Sequence, residues 1–191
     1  MIYPCNDNTV KQAVNILKGG GIIIYPTDTL YGFGVDATNS KAIEKLNELK
    51  NRQSPLSIII SSIKEIEKYG TFSSQNTKMI KTILPGPFTI LIDSLKSNLS
   101  TLLNPNSDYI GIRIPNHQFP IQIVRLLGRP IVTTSVNKNK EPSLNNIIDM
   151  EKTFPNIDIF EDEINLSSKG STIINLAVNP YKIIRHGDGV L

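Results

Sequence analysis

Apolar residues recur along this chain in two rhythms. Val10, Ala13, Val14 and Leu17 fall on one helix face, and Gly19-Gly20-Gly21 follows as a stop. Ile22-Ile23-Ile24-Tyr25 is an unbroken apolar run of strand length. Ile43, Leu46 and Leu49 mark a second helix face, with Ser40 placed to cap it. Leu56 to Ile60 reads as a buried strand. Ser62 with Glu65 matches a capping box and predicts a helix running to Tyr69. Met79, Ile80 and Ile83 predict another, stopped by Leu84-Pro85-Gly86-Pro87. Phe88 to Ile92 and Ile110 to Ile114 follow as strands, Phe119 to Leu127 as a helix and Ile131 to Thr134 as a strand. A helix over Asn145 to Phe154 precedes three closing strands: Ile157 to Phe160, Thr172 to Leu176 and Tyr181 to Ile184.

This alternation predicts an α/β fold. The late strands cluster without helices between them, so the sheet is expected to be mixed. No stretch rich in Pro, Gly or Ser divides the chain, which predicts a single domain over residues 1–191.

Composition narrows the picture. A hydrophobic fraction of 39% and a charged fraction of 19% describe a globular chain. No apolar run approaches the roughly 20 residues that span a bilayer. The segment Met1-Ile2-Tyr3-Pro4-Cys5-Asn6-Asp7 has no secretory pattern, and Cys5 is the single cysteine, so a cytoplasmic protein without membrane association is expected. The net charge of +3 permits contact with nucleotides or RNA without demanding it.

The candidate chemistry lies beside the strands. Thr27, Asp28 and Thr29 lie just past the first strand run, before Gly32 and Gly34, where hydroxyls can meet a ligand and glycine allows close backbone approach. The spacing alone equally fits a capped turn. Gly32-Phe33-Gly34-Val35-Asp36-Ala37 resembles a dinucleotide fingerprint but begins six residues late, and no P-loop pattern occurs. Lys50 and Arg52 end a helix, where the dipole favours cations and where phosphate or carboxylate oxygens could also be met. Arg113 stands inside an apolar strand, a costly position unless the cation reaches solvent or an anion. Thr133, Ser135 and Asn137 sit at a strand end, where open α/β sheets bind ligands. Ser143 reads as a helix cap. His117 and His186 lack metal-ligand spacing, so no protein-held metal is expected.

Taken in order, the segments PTDTLYGFGVDA, KNR, PLSIII, PGPFTILI, GIRIPNH, PIVTTSVN, PS, STIINL and IIRHG strongly resemble the YrdC-like family of threonylcarbamoyl-AMP synthases, in its short form. The resemblance runs from about Ile22 to Gly187. It implies a single-domain twisted mixed sheet flanked by helices, with a large concave cleft. It also implies a nucleotidyltransferase that joins L-threonine, bicarbonate and ATP into L-threonylcarbamoyl-AMP and diphosphate. Mg2+ would accompany ATP, and downstream transferase proteins would deliver the group to tRNAs reading codons that begin with A.

By the same resemblance Thr29, Arg113, Thr133 and Ser171 hold threonine. Arg52, Ser54, Ser135, Asn137, Ser143 and Arg185 hold ATP, and Lys50 and Arg52 carry the catalytic charge. Two departures stand out. Only Gln53 and Ser54 separate Arg52 from Pro55, where relatives have a longer segment, and no His interrupts the strand Leu56 to Ile60. The shortened segment leaves open a second expectation, a non-catalytic paralogue that binds tRNA or double-stranded RNA and acts in ribosome or tRNA maturation.

Overall fold

The computed structural model describes residues 1–51, 55–95 and 97–191, so Arg52, Gln53, Ser54 and Lys96 lie outside the described residues. It is an α/β fold with one mixed sheet, as the sequence predicts. In chain order the strands are β1 (Ile2–Pro4), β2 (Ile23–Tyr25), β3 (Gly32–Gly34), β4 (Ser57–Ile59), β5 (Gly70–Thr71), β6 (Phe88–Ser94), β7 (Tyr109–Arg113), β8 (Ile131–Ser135), β9 (Asp158–Glu161), β10 (Thr172–Asn175) and β11 (Lys182–Arg185). They lie side by side as β1-β9-β2-β3-β8-β4-β7-β6-β10-β11, with β5 paired to β6. Both parallel pairs, such as β4 with β7, and antiparallel pairs, such as β4 with β8, occur.

The α-helices are α1 (Asp7–Lys18), α2 (Ser40–Lys50), α3 (Thr77–Ile83), α4 (Gln118–Leu127) and α5 (Ile147–Thr153). Asn6 opens α1 through a reciprocal capping box with Thr9, and α1 buries the face Val10, Ala13, Val14 and Leu17 that its periodicity predicts. Helices α1 and α4 pack on each other and on β2 and β4.

Register explains how the sheet serves a core and a cleft at once. Val132, Ile58, Ile112, Ile90 and Ile174 are direct neighbours across β8, β4, β7, β6 and β10. All five are fully buried, each side chain contributing roughly 1.5–3 kcal/mol of burial. One residue along each strand, the adjoining row reads Thr133, Ser57, Gly111, Leu91 and Asn175. Side chains alternate faces along a strand, so this row looks the other way. At this level the strands turn Val132 and four isoleucines to one side, and Thr133, Ser57, Gly111 and Asn175, with Leu91 among them, to the other.

Several expectations shift. Asn39, not Ser40, caps α2, its Oδ1 accepting from Ala42 N at 3.1 Å. Ser62 and Glu65 do not start an α-helix: Ile63–Lys68 is a 3-10 helix, and the Glu65 carboxylate accepts the hydroxyls of Ser61 and Ser62 instead. Helix α5 starts at Ile147 behind Asn146, so the capping role read for Ser143 belongs to Asn146. Strands β1, β3 and β5 are additional to the predicted set. No helix among the described residues is long and apolar enough to cross a membrane.

Candidate active site

A cavity of about 260 Å³ opens over the polar row of the sheet. Thr29, Arg113, Thr133, Ser135, Ser143, Ser171 and Arg185, all singled out from sequence, line it together. They come from three strands and three loops. The ends of β7, β8 and β11 meet at one cavity with the turn that follows β2.

Arg113 at the end of β7 is paired. Its Nη2 donates to Asp28 Oδ1 at 2.9 Å and to Thr29 Oγ1 at 3.1 Å. Both ionic side chains are 9% exposed. The buried cation in an apolar strand is thus offset first by a protein carboxylate. Its Nε remains buried with no hydrogen-bond partner. A donor stranded in this way is rare in a folded protein.

Thr29 is fixed from the other side. Its Oγ1 lies 3.1 Å from Thr27 Oγ1, which donates to Leu30 O and accepts from Thr29 N. Across the cleft, Arg185 on β11 donates Nε and Nη2 to Ser171 O at 3.1 and 2.7 Å, and Nη2 to Ser171 Oγ at 3.2 Å. Ser171 Oγ also meets Thr89 Oγ1 at 2.8 Å. Burial lowers the Arg185 pKa, and the nearby charge of Arg113 lowers it further, against the opposing pull of Asp188. Two guanidinium groups therefore face one cleft whose described lining residues include no carboxylate. That is an arrangement for anions.

Lys50 and Asn137 sit behind this wall. Lys50 is 1% exposed, and its Nζ donates to Ser135 O at 2.6 Å, Asn137 Oδ1 at 2.8 Å and Asn137 O at 2.9 Å. Ser135 Oγ donates to the same Asn137 Oδ1 at 2.9 Å, and Asn137 Nδ2 donates to Glu141 O. Lys50 thus grips the segment after β8 from below. Arg52 and Ser54 lie outside the described residues.

Sequence reasoning missed several members, Lys169 and Thr134 of the cavity lining among them. Asp28 stands in the first motif, but nothing in its spacing pairs it with Arg113. Thr89 and Ser57 also line the cavity. Each is a lone hydroxyl in an apolar strand, the same signal that drew attention to Arg113.

Fold and cleft together define an open-sheet α/β protein with a cationic, hydroxyl-lined ligand site. The Sua5–YciO–YrdC family model, described as telomere recombination, matches residues 15–187, and the chain belongs to that family. A threonylcarbamoyl-AMP synthase of Psychromonas ingrahamii is 30% identical, over 94% of this chain and 88% of its own length. The threonylcarbamoyl-AMP synthase of Mus musculus is 28% identical over 93% of this chain, but the chain spans just 66% of that relative. Among solved structures, P. abyssi Sua5 complexed with L-threonine superposes with a TM-score of 0.89 at 24% identity, covering 98% of this chain and 57% of that one.

Proposed function

We propose that this chain is an L-threonylcarbamoyl-AMP synthase that uses L-threonine, bicarbonate and ATP and releases diphosphate. The observation that carries the reading is the pair of guanidinium groups, Arg113 and Arg185, that line one cleft with no carboxylate among its described lining residues. Relatives named for this activity support it.

In this reading the α-carboxylate of threonine docks on the open edge of Arg113, with Thr29, Thr133 and Ser171 around it. Condensation of the threonine amine with bicarbonate loses water and gives an N-carboxylate. One of its oxygens attacks the α-phosphorus of ATP, and the bond to the diphosphate leaving group breaks. No side chain has to act as nucleophile. The protein's work is positioning and stabilising negative charge. Arg185, Ser135 and Ser143 serve the nucleotide. Arg52 and Ser54 belong to the same nucleotide set by resemblance. Lys50 acts through Ser135 and Asn137, keeping a positive charge and a fixed loop beneath the phosphates. The cavity lining offers hydroxyls and cations, so Mg2+ enters on the triphosphate as part of the substrate.

Downstream transferase proteins would carry the threonylcarbamoyl group to tRNA. Direct contact of this chain with tRNA or double-stranded RNA, and a cytoplasmic location, extend the same proposal. The test is diphosphate release by the purified protein. It should require threonine, bicarbonate and Mg-ATP together, and release that ignores threonine would sink the assignment.

A further inference from the structure

Asp28 lies in the turn between β2 and β3, and the proposed reaction gives it no substrate to hold. Its position is nevertheless tightly determined. One carboxylate oxygen accepts from Arg113 Nη2 at 2.9 Å, and the other accepts from the backbone N–H of Asn116 at 3.0 Å. The side chain is 9% exposed and is absent from the cavity lining. Asp28 therefore ties the loop after β2 to the loop after β7, standing behind the guanidinium rather than in front of it.

Arginine is long, and its head group can swing among partners. In this cleft the swing has a direction, because Arg185 shares the space and repels it. Asp28 holds one nitrogen of Arg113, and Thr29 steadies the same nitrogen from the side. What remains for a ligand is the rest of the guanidinium: the Nη1, and the Nε, which is buried and without an acceptor.

We infer that Asp28 is a positioning residue, fixing Arg113 so that its unpartnered edge receives a carboxylate. This rests on the assignment of Arg113 to the amino-acid carboxylate. A buried carboxylate behind the cation also works against a second anion at the same spot, which keeps phosphate groups toward Arg185.

A double-mutant cycle tests this, with threonine saturation read separately from turnover. Asp28→Asn keeps the shape and removes the charge. It should raise KM for threonine at least tenfold while kcat and KM for ATP stay within threefold. In an Arg113→Ala background the same change should add less than twofold. An unchanged KM for threonine, a fall in kcat alone, or an effect that persists in full without Arg113 would each overturn the inference. Should Asp28→Asn not fold, Asp28→Glu keeps the charge, changes its reach and is read by the same criteria. A wild-type protein whose diphosphate release ignores threonine would defeat the proposed reaction and leave the pairing to be judged alone. The Arg113 Nε–H resonance then decides. It should shift and exchange faster in Asp28→Asn, and an unchanged resonance counts against the pairing.

Discussion

The Nζ of Lys50 lies 2.8 Å from the side-chain oxygen of Asn137 and 2.9 Å from its carbonyl, so one buried ammonium holds both ends of the same residue. With Ser135 O as its third acceptor, it fixes the course of the chain after β8. Lys50→Met fills similar space but leaves three inward-facing oxygens without this donor. We expect a loss of about 2–4 kcal/mol in folding stability by urea unfolding, because stranded buried acceptors cost more than the net value of the bonds. Nucleotide affinity should fall with it.

Arg185→Ala should raise KM for ATP about tenfold and KM for threonine by a smaller factor. The second effect follows from the structure: Arg185 holds Ser171, and Ser171 sits with the proposed threonine contacts. Saturation curves for each substrate separate the two. A change confined to threonine would move Arg185 out of the nucleotide set.

Gly111→Ala should cost about 1–3 kcal/mol, the range for forcing an extra group into a packed site. A β-carbon there would lie 2.3 Å from Ser57 Oγ and 3.0 Å from Ser57 Cβ. Adding Ser57→Gly should recover much of the loss, which chemical denaturation of the single and double variants would show.

His117 gives a pH dependence. Burial lowers its pKa below 6.5, against the opposing charges of Asp162 and Asp28. The folded state thus favours the neutral ring, and the unfolded chain binds the proton more readily. The stability involved is present above the unfolded value of about 6.5 and is lost as pH falls from there toward the folded value. Melting temperatures taken between pH 7.5 and 5 (about that range suffices) should decline less steeply for His117→Asn, which can still cap α4.

Much of this architecture could be read from the chain alone. The apolar rows of β4, β6, β7 and β8 came from short isoleucine-rich runs, and α1 from its three- and four-residue spacing. Strand β3 escaped because two of its three residues are glycine, which normally weakens a strand. Packing overrides that tendency here: a β-carbon at Gly34 would fall 2.7 Å from the Tyr25 ring. The 3-10 helix at Ile63–Lys68 escaped because the Glu65 carboxylate found two hydroxyls before any backbone donor. At the site, residue types and strand ends pointed to Thr29, Arg113, Thr133 and Ser135, and the family resemblance added Ser143, Ser171 and Arg185. The pairing of Arg113 with Asp28 did not emerge, because it joins positions 85 residues apart through register alone. Lys50 was legible as a cation at a helix end, whereas its inward course depends on where β8 ends.

Arg185 stands on β11, the final strand in chain order, and closes the cleft against Ser171. During synthesis, then, the isoleucine core can condense while the pocket still lacks a wall. The cleft is complete only once β11 has paired with β10. A chain cut before residue 185 would keep the isoleucine core and lose that wall of the cleft.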